Sequence, residues 1–144
     1  MRIFCDTSVL VASLVQEHVH HTRAMPVVQR VVEGKDTGFV AAHSLAETYA
    51  VLTSLPVAPR IGPDTAQKLL EENVIGNFEI VTLTAKEHET LVSTFAERGV
   101  VGGAVYDAII LLGAVKCGAE RIFTFNLRDL HRLAPDIRGR IAAP

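Results

Sequence analysis

Four short runs punctuate the chain, and each is followed by a stretch with helical spacing. Arg2 to Cys5 is the first, Phe39 to Ala42 the second, Glu79 to Leu83 alternates towards a third, and Arg121 to Thr124 forms the fourth. Between them the pattern predicts helices at Val9 to Val15, at His21 to Val32 with Gly34 closing it, and at Ser44 to about Ser54. Pro56, Pro59 and Pro63 then break the chain. Asp64 or Thr65 is placed to cap a helix from Ala66 to Val74, which Gly76 and Asn77 close. Thr84 with Glu87 has the spacing of a capping box for a helix that ends at Gly99. A very apolar helix from Ala104 to Lys116 stops at Gly118, and the tail holds a short helix and a last edge strand near Ile141.

Strands alternating with helices predict an α/β fold: a three-layer α/β/α sandwich around a central, mostly parallel sheet of four to five short strands. With neither linker nor repeat, residues 1–144 read as one domain. In such sheets, sites form just beyond the carboxyl ends of the strands.

Composition changes this picture in three ways. Hydrophobic residues make up 49% of the chain, which is rich for 144 residues: either the core is unusually apolar or a partner covers some of the surface, and the partner is the favoured reading. A net charge of −2 gives no global basic field for nucleic acid. Five of the ten arginines nevertheless follow residue 120, so a local basic edge and merely scattered, solvated arginines are both open readings. Cys5 and Cys117 share no short spacing and read as reduced packing residues. The sequence shows neither a leader nor an apolar stretch of transmembrane length, so a cytoplasmic protein is expected.

The acids carry the chemistry. Asp6 follows the first strand, Glu47 lies on the first turn of the helix after the second, and Asp129 lies five residues past the fourth in "TFNLRDL". Each has a structural alternative: Asp6 can cap the next helix, and "SLAE" makes Glu47 part of a capping box with Ser44. Asp107 tips the balance. It stands in "GGAVYDAIILLGAV", where the helix should be largely buried, with no Lys or Arg three or four residues away. A buried carboxylate without a partner costs several kcal/mol. Two carboxylates about 4 Å apart repel by roughly 4 kcal/mol at an effective dielectric of 20. A cluster of four is therefore tolerable only with a divalent cation or a shared proton. Oxygen-only ligation suits Mg²⁺ or Mn²⁺, ions that serve phosphodiester hydrolysis.

"FCDTSVL", "SLAE", "VYDAIILLGA" and "TFNLRD", in this order, resemble a PIN domain, and the spacing and length are most similar to the VapC toxins of bacterial toxin–antitoxin pairs. The resemblance covers essentially the whole chain. It implies an endoribonuclease using Mg²⁺ or Mn²⁺, with Asp6, Glu47, Asp107 and Asp129 as the acidic ligands. It further implies hydrogen-bond support from Thr7, Ser8, Thr124 and Asn126, a homodimer, and an antitoxin whose tail occupies the site. Arg128 and Arg132 are the candidate RNA contacts on the basic edge. The aromatic usual after the last acid is Leu130 here.

Other readings compete for these residues. A phosphatase of the haloacid-dehalogenase type needs a second Asp two residues after Asp6, where Ser8 stands. Metal-free RNA cleavage would use His18, His20, His21 or His43 as acid and base, but nothing else in the sequence converges on them. Zinc held by His18, His20 and His21 lacks a fourth ligand. A non-catalytic module holding a structural ion fits four intact acids poorly.

Overall fold

The computed structural model describes residues 1–144. Five strands, β1 (Arg2–Cys5), β2 (Thr37–Ala41), β3 (Phe78–Val81), β4 (Arg121–Phe123) and β5 (Ile141–Ala142), form one sheet in the order β3-β2-β1-β4-β5. Every pairing is parallel, so the sheet is wholly rather than mostly parallel. All five carboxyl ends therefore lie on one edge.

Seven helices cover the sheet: α1 (Thr7–Leu14), α2 (His21–Val32), α3 (Ala42–Ser54), α4 (Pro63–Leu70), α5 (Ala85–Glu97), α6 (Ala104–Lys116) and α7 (Leu127–Leu133). Alternation along β1 decides the layers. Ile3 and Cys5 point to one face and join Val9 and Leu10 of α1, Val28 and Val31 of α2, and Leu70 of α4 in one apolar cluster. Phe4 points to the other, against Ile110, Leu111 and Ala114 of α6 and Leu130 of α7. These two clusters make the α/β/α sandwich. Leu130 is fully buried there, so the residue after the last acid is a packing position. Cys5 is buried and Cys117 half-buried, both as free thiols, and burial pushes both thiols' pKa up.

Several local expectations shift. Helix α4 begins at Pro63 behind Gly62, with neither Asp64 nor Thr65 as its cap, because proline's fixed φ suits the first helical position. Its last turn, Glu71–Ile75, widens into a π-turn before β3. Thr84 and Glu87 do form the reciprocal capping box on α5. Helix α6 is less buried than its composition suggests: Tyr106, Leu112 and Val115 are exposed on its outer side. Close backbone packing is set at Gly38 in β2, where a Cβ would stand 2.5 Å from the Phe78 ring and 2.6 Å from Val31. No helix is long and apolar enough to cross a membrane.

Candidate functional site

Strand order reverses between β1 and β4, neighbours in the sheet whose following segments diverge. A crevice at the carboxyl ends of such a pair is the expected ligand position in an open parallel sheet. Here the residues just beyond β1 are Asp6, Thr7 and Ser8, and those beyond β4 are Thr124, Phe125 and Asn126.

Asp6 is the best-held side chain in the crevice. Its Oδ2 accepts from Ser8 Oγ at 2.9 Å and from Thr124 Oγ1 at 2.8 Å. Each hydroxyl also accepts a backbone N–H from the β4 side, Phe125 to Ser8 at 3.1 Å and Asn126 to Thr124 at 2.9 Å. The two hydroxyls thus stitch the β1 and β4 loops together through one carboxylate oxygen. Asp6 precedes α1, but its side chain does not cap that helix. The capping reading of this residue fails.

Glu47 is no cap either. Helix α3 starts two residues earlier than expected, at Ala42, which moves Ser44 inside the helix. Ser44 is fully buried and its hydroxyl has no partner, so no capping box forms. Glu47 Oε2 instead accepts from the buried Thr7 Oγ1 at 3.0 Å, with His43 Nε2 at 3.9 Å. Thr7 therefore reaches across from α1 to orient an acid on α3.

Asp107, on the first turn of α6, is half-buried. Burial pushes its carboxyl pKa up, and the negative charges of Asp6, Asp129 and Glu47 add to that, while a hydrogen bond from Asn126 opposes it. All three other acids are thus within electrostatic reach of Asp107. Asp6, Glu47 and Asp107 line one open cavity of about 560 Å³ with Thr7, Ser8 and Asn126, and no Lys or Arg lines it. Asp129 is outside that wall, with Oδ1 3.5 Å from Arg132 Nη2 one turn along α7. Arg128 is exposed beside it.

The structure therefore brings three of the four acids to one cavity and leaves the fourth at its rim. Within this arrangement no three His, Cys, Asp or Glu side chains stand close enough to share one ion. The carboxylates, hydroxyls and one amide of the wall nonetheless suit a hard cation, and no Lys or Arg neutralises them.

The histidines were missed. His18 and His20 line the same cavity, whereas the sequence offered nothing that converges on them. The segment between α1 and α2 folds back: His18 N–H donates to Val15 O, His20 N–H to His18 Nδ1 at 3.1 Å, and His21 Nδ1 meets Ala12 O at 3.0 Å. His20 stacks on Phe125, centroids 4.3 Å apart and planes within 14°. Burial, then the neighbouring His20 and His21, holds the His18 pKa below the usual imidazole range. The only sequence signal was "HVHH" ahead of a helix, and chain reversal, not spacing, makes it part of the wall.

The family model described as PIN domain matches residues 3–134. A Mycobacterium tuberculosis protein named Ribonuclease VapC40 is 37% identical over 123 residues, covering 85% of each chain. Ribonuclease VapC27 of the same organism is 35% identical over 115 residues, covering 80% of this chain and 78% of that one. Among solved structures, M. tuberculosis VapC20, described as a toxin that cleaves the sarcin–ricin loop, superposes with a TM-score of 0.69 at 20% identity over 99% of both chains. Rickettsia felis VapBC2, solved on a DNA fragment from its promoter, gives 0.63 at 17% identity over 94% of both. At those identities the two structures speak for the fold alone.

Proposed function

The chain belongs to the PIN domain family, and from that premise we propose that it is an endoribonuclease of the VapC type, the toxin of a toxin–antitoxin pair, that hydrolyses RNA with the help of Mg²⁺ or Mn²⁺. The observation that carries the site assignment is the carboxylate of Asp6, fixed by Ser8 and Thr124 in a cavity it shares with Glu47 and Asp107 and that no Lys or Arg lines.

In this reading Asp6, Glu47 and Asp107 hold the ion and Asp129 joins from the rim. The Glu47 and Asp129 side chains, 54% and 40% exposed, have the rotamer freedom to adjust to it. The ion, when bound, supplies positive charge that offsets the acids, polarises a phosphate oxygen and makes water a better nucleophile. The chain's own residues do the positioning. Ser8 and Thr124 commit one oxygen of Asp6 and leave the other free of both hydroxyls. Thr7 aims Glu47, and Asn126 steadies Asp107. Support of this kind typically tunes a metal site by 10- to 100-fold, as a rough guide. Arg128 and Arg132 extend a positive edge that attracts the RNA backbone, with Asp129 competing for Arg132.

The partners follow the same reading: an antitoxin protein that covers the cavity, a second copy of the chain, and a cytoplasmic setting. Exposed Leu112 and Val115 on α6, beside an apolar groove shared with Leu91 and Phe95 of α5, supply the uncovered surface for protein contacts.

The test is cleavage of RNA by the purified chain with Mg²⁺, with and without EDTA, and identification of the new ends. Products with 5′-phosphate and 3′-hydroxyl ends, lost in EDTA, are expected. Full activity in EDTA with 2′,3′-cyclic phosphate ends would overturn the assignment in favour of His18 and His20, which face the same cavity.

A further inference from the structure

One wall of the acidic cavity is neither acidic nor explained by ion binding. His18, Val19, His20 and Phe125 belong to it, in the cavity that Glu47 and Asp107 also line. They form an ordered stack: the Arg23 guanidinium sits over Phe125 at 5.7 Å, His20 lies parallel on Phe125, and His18 tilts against His20 at 5.7 Å between centroids. Arg23 is itself anchored by two hydrogen bonds to Pro144 O at 2.9 and 3.1 Å. His18 is the free end of this stack. Its Nδ1 is occupied by the His20 N–H, which fixes the ring plane before any ligand arrives. Next to it Val19 is 82% exposed, an apolar side chain held in water at the mouth of a polar site.

A fold gains nothing by holding Val19 in water and ending an aromatic stack at the mouth of a cavity. A flat, uncharged ring flanked by an apolar side chain is, however, what an unpaired nucleobase stacks on, and such stacking tolerates any base. An ordered ring also spares the binding step the entropy of ordering a flexible one.

We propose that His18 and Val19 form a nucleobase platform, buttressed by His20, Phe125 and Arg23, that seats one unpaired base of the RNA beside the Asp6 carboxylate. The inference rests on the ribonuclease reading of the cavity and adds that the substrate enters unpaired. The phosphate next to the seated base then lies towards the acids. His18 acts in this scheme as a stacking residue and transfers no proton.

The test measures binding by fluorescence anisotropy with Mg²⁺ in the Asp107→Asn background, so that the RNA stays intact. Two probes are used: a short random-sequence single-stranded RNA, and a ribose-phosphate strand of the same length without bases. The base-bearing strand should bind roughly tenfold more tightly than the abasic one. His18→Ala should erase that difference, and His18→Phe should keep it. Val19→Asp, at a position too exposed to disturb folding, should weaken RNA binding even if His18→Ala fails to fold. Equal binding of both probes, an unchanged preference in His18→Ala, or RNA binding untouched by Val19→Asp would each overturn the platform. Loss in His18→Phe as well as His18→Ala would overturn it too, since that pattern belongs to a hydrogen-bonding or proton-transferring imidazole. Failure of the wild type to cleave any RNA would sink the ribonuclease reading while leaving this comparison readable.

Discussion

Replacing Thr124 by Val changes one hydroxyl to a methyl at constant shape, in a side chain with no exposure at all. Two hydrogen bonds disappear: the 2.8 Å donation to Asp6 and the 2.9 Å acceptance from Asn126 N–H. A hydrogen bond to a charged group contributes about 1.5–3 kcal/mol, and an abandoned buried N–H costs about 1–3 kcal/mol. Those figures are not reached in full here. Asp6 keeps Ser8 and is only half-buried, as is Asn126, so water replaces part of what is lost. A net destabilisation of about 2 kcal/mol is expected, or roughly 6 °C in melting temperature for a domain of this size. Thr124→Ser keeps both bonds and loses one buried methyl, about 1 kcal/mol. Stability alone separates the two variants narrowly; activity should separate them widely. Asp6 loses one of two anchors in Thr124→Val, and roughly tenfold slower RNA cleavage is expected, with Thr124→Ser close to wild type. Thermal unfolding followed by circular dichroism, paired with a cleavage time course, reads both. If Thr124→Ser falls as far as Thr124→Val, the methyl and not the hydroxyl matters, and the hydroxyl bridge explains nothing.

Asp107→Asn should abolish cleavage yet leave the metal-free protein as stable or more stable, by about 1 kcal/mol once screening is allowed for. Because burial and neighbouring acids raise the Asp107 pKa, its ionisation weighs on the folded state increasingly as pH rises from the ordinary carboxylate range through the raised value. The mutant's advantage should grow over that window and vanish in acid, and Mg²⁺ should raise the wild-type melting temperature more than the mutant's. Asp36 tests the opposite sign. Its buried carboxylate is held by Arg30 at 2.6 and 3.2 Å and by the Met1 amino group at 3.0 Å, which lower its pKa. Asp36→Asn should cost a few degrees of melting temperature at neutral pH, and the two unfolding curves should converge as pH falls through the lowered value.

What the sequence made legible depended on whether a residue's neighbours along the chain were also its neighbours in space. Asp107 was legible because a carboxylate in an apolar helix conflicts with its own flanks. The capping box of Thr84 and Glu87 was legible because it is local. Glu47 was ambiguous, since "SLAE" has cap spacing, and only the start of α3 at Ala42 removes that option. The double role of Thr124 was invisible as geometry: its partner Asp6 lies more than a hundred positions away, brought near by the β1–β4 pairing. The resemblance nominated Thr124 for hydrogen-bond support without naming the acid it holds. Asp129 illustrates the converse, an acid nominated with the others but held at the rim by Arg132.

The pairing of β1 with β4 also governs when the site can exist. Ile3, Phe4 and Cys5 align with Arg121, Ile122 and Phe123, so the first strand of the chain waits for almost the last before the crevice closes. A chain emerging from a ribosome carries Asp6, Glu47 and Asp107 long before it carries Thr124 and Asn126. Contacts of such sequence separation form late, after the loops they close have been ordered. The cavity thus cannot be assembled until β4 has been made, and a chain truncated ahead of β4 lacks Thr124 and Asn126 whatever acids it retains. For a nuclease made by the very machinery that depends on intact RNA, the topology acts as a timer.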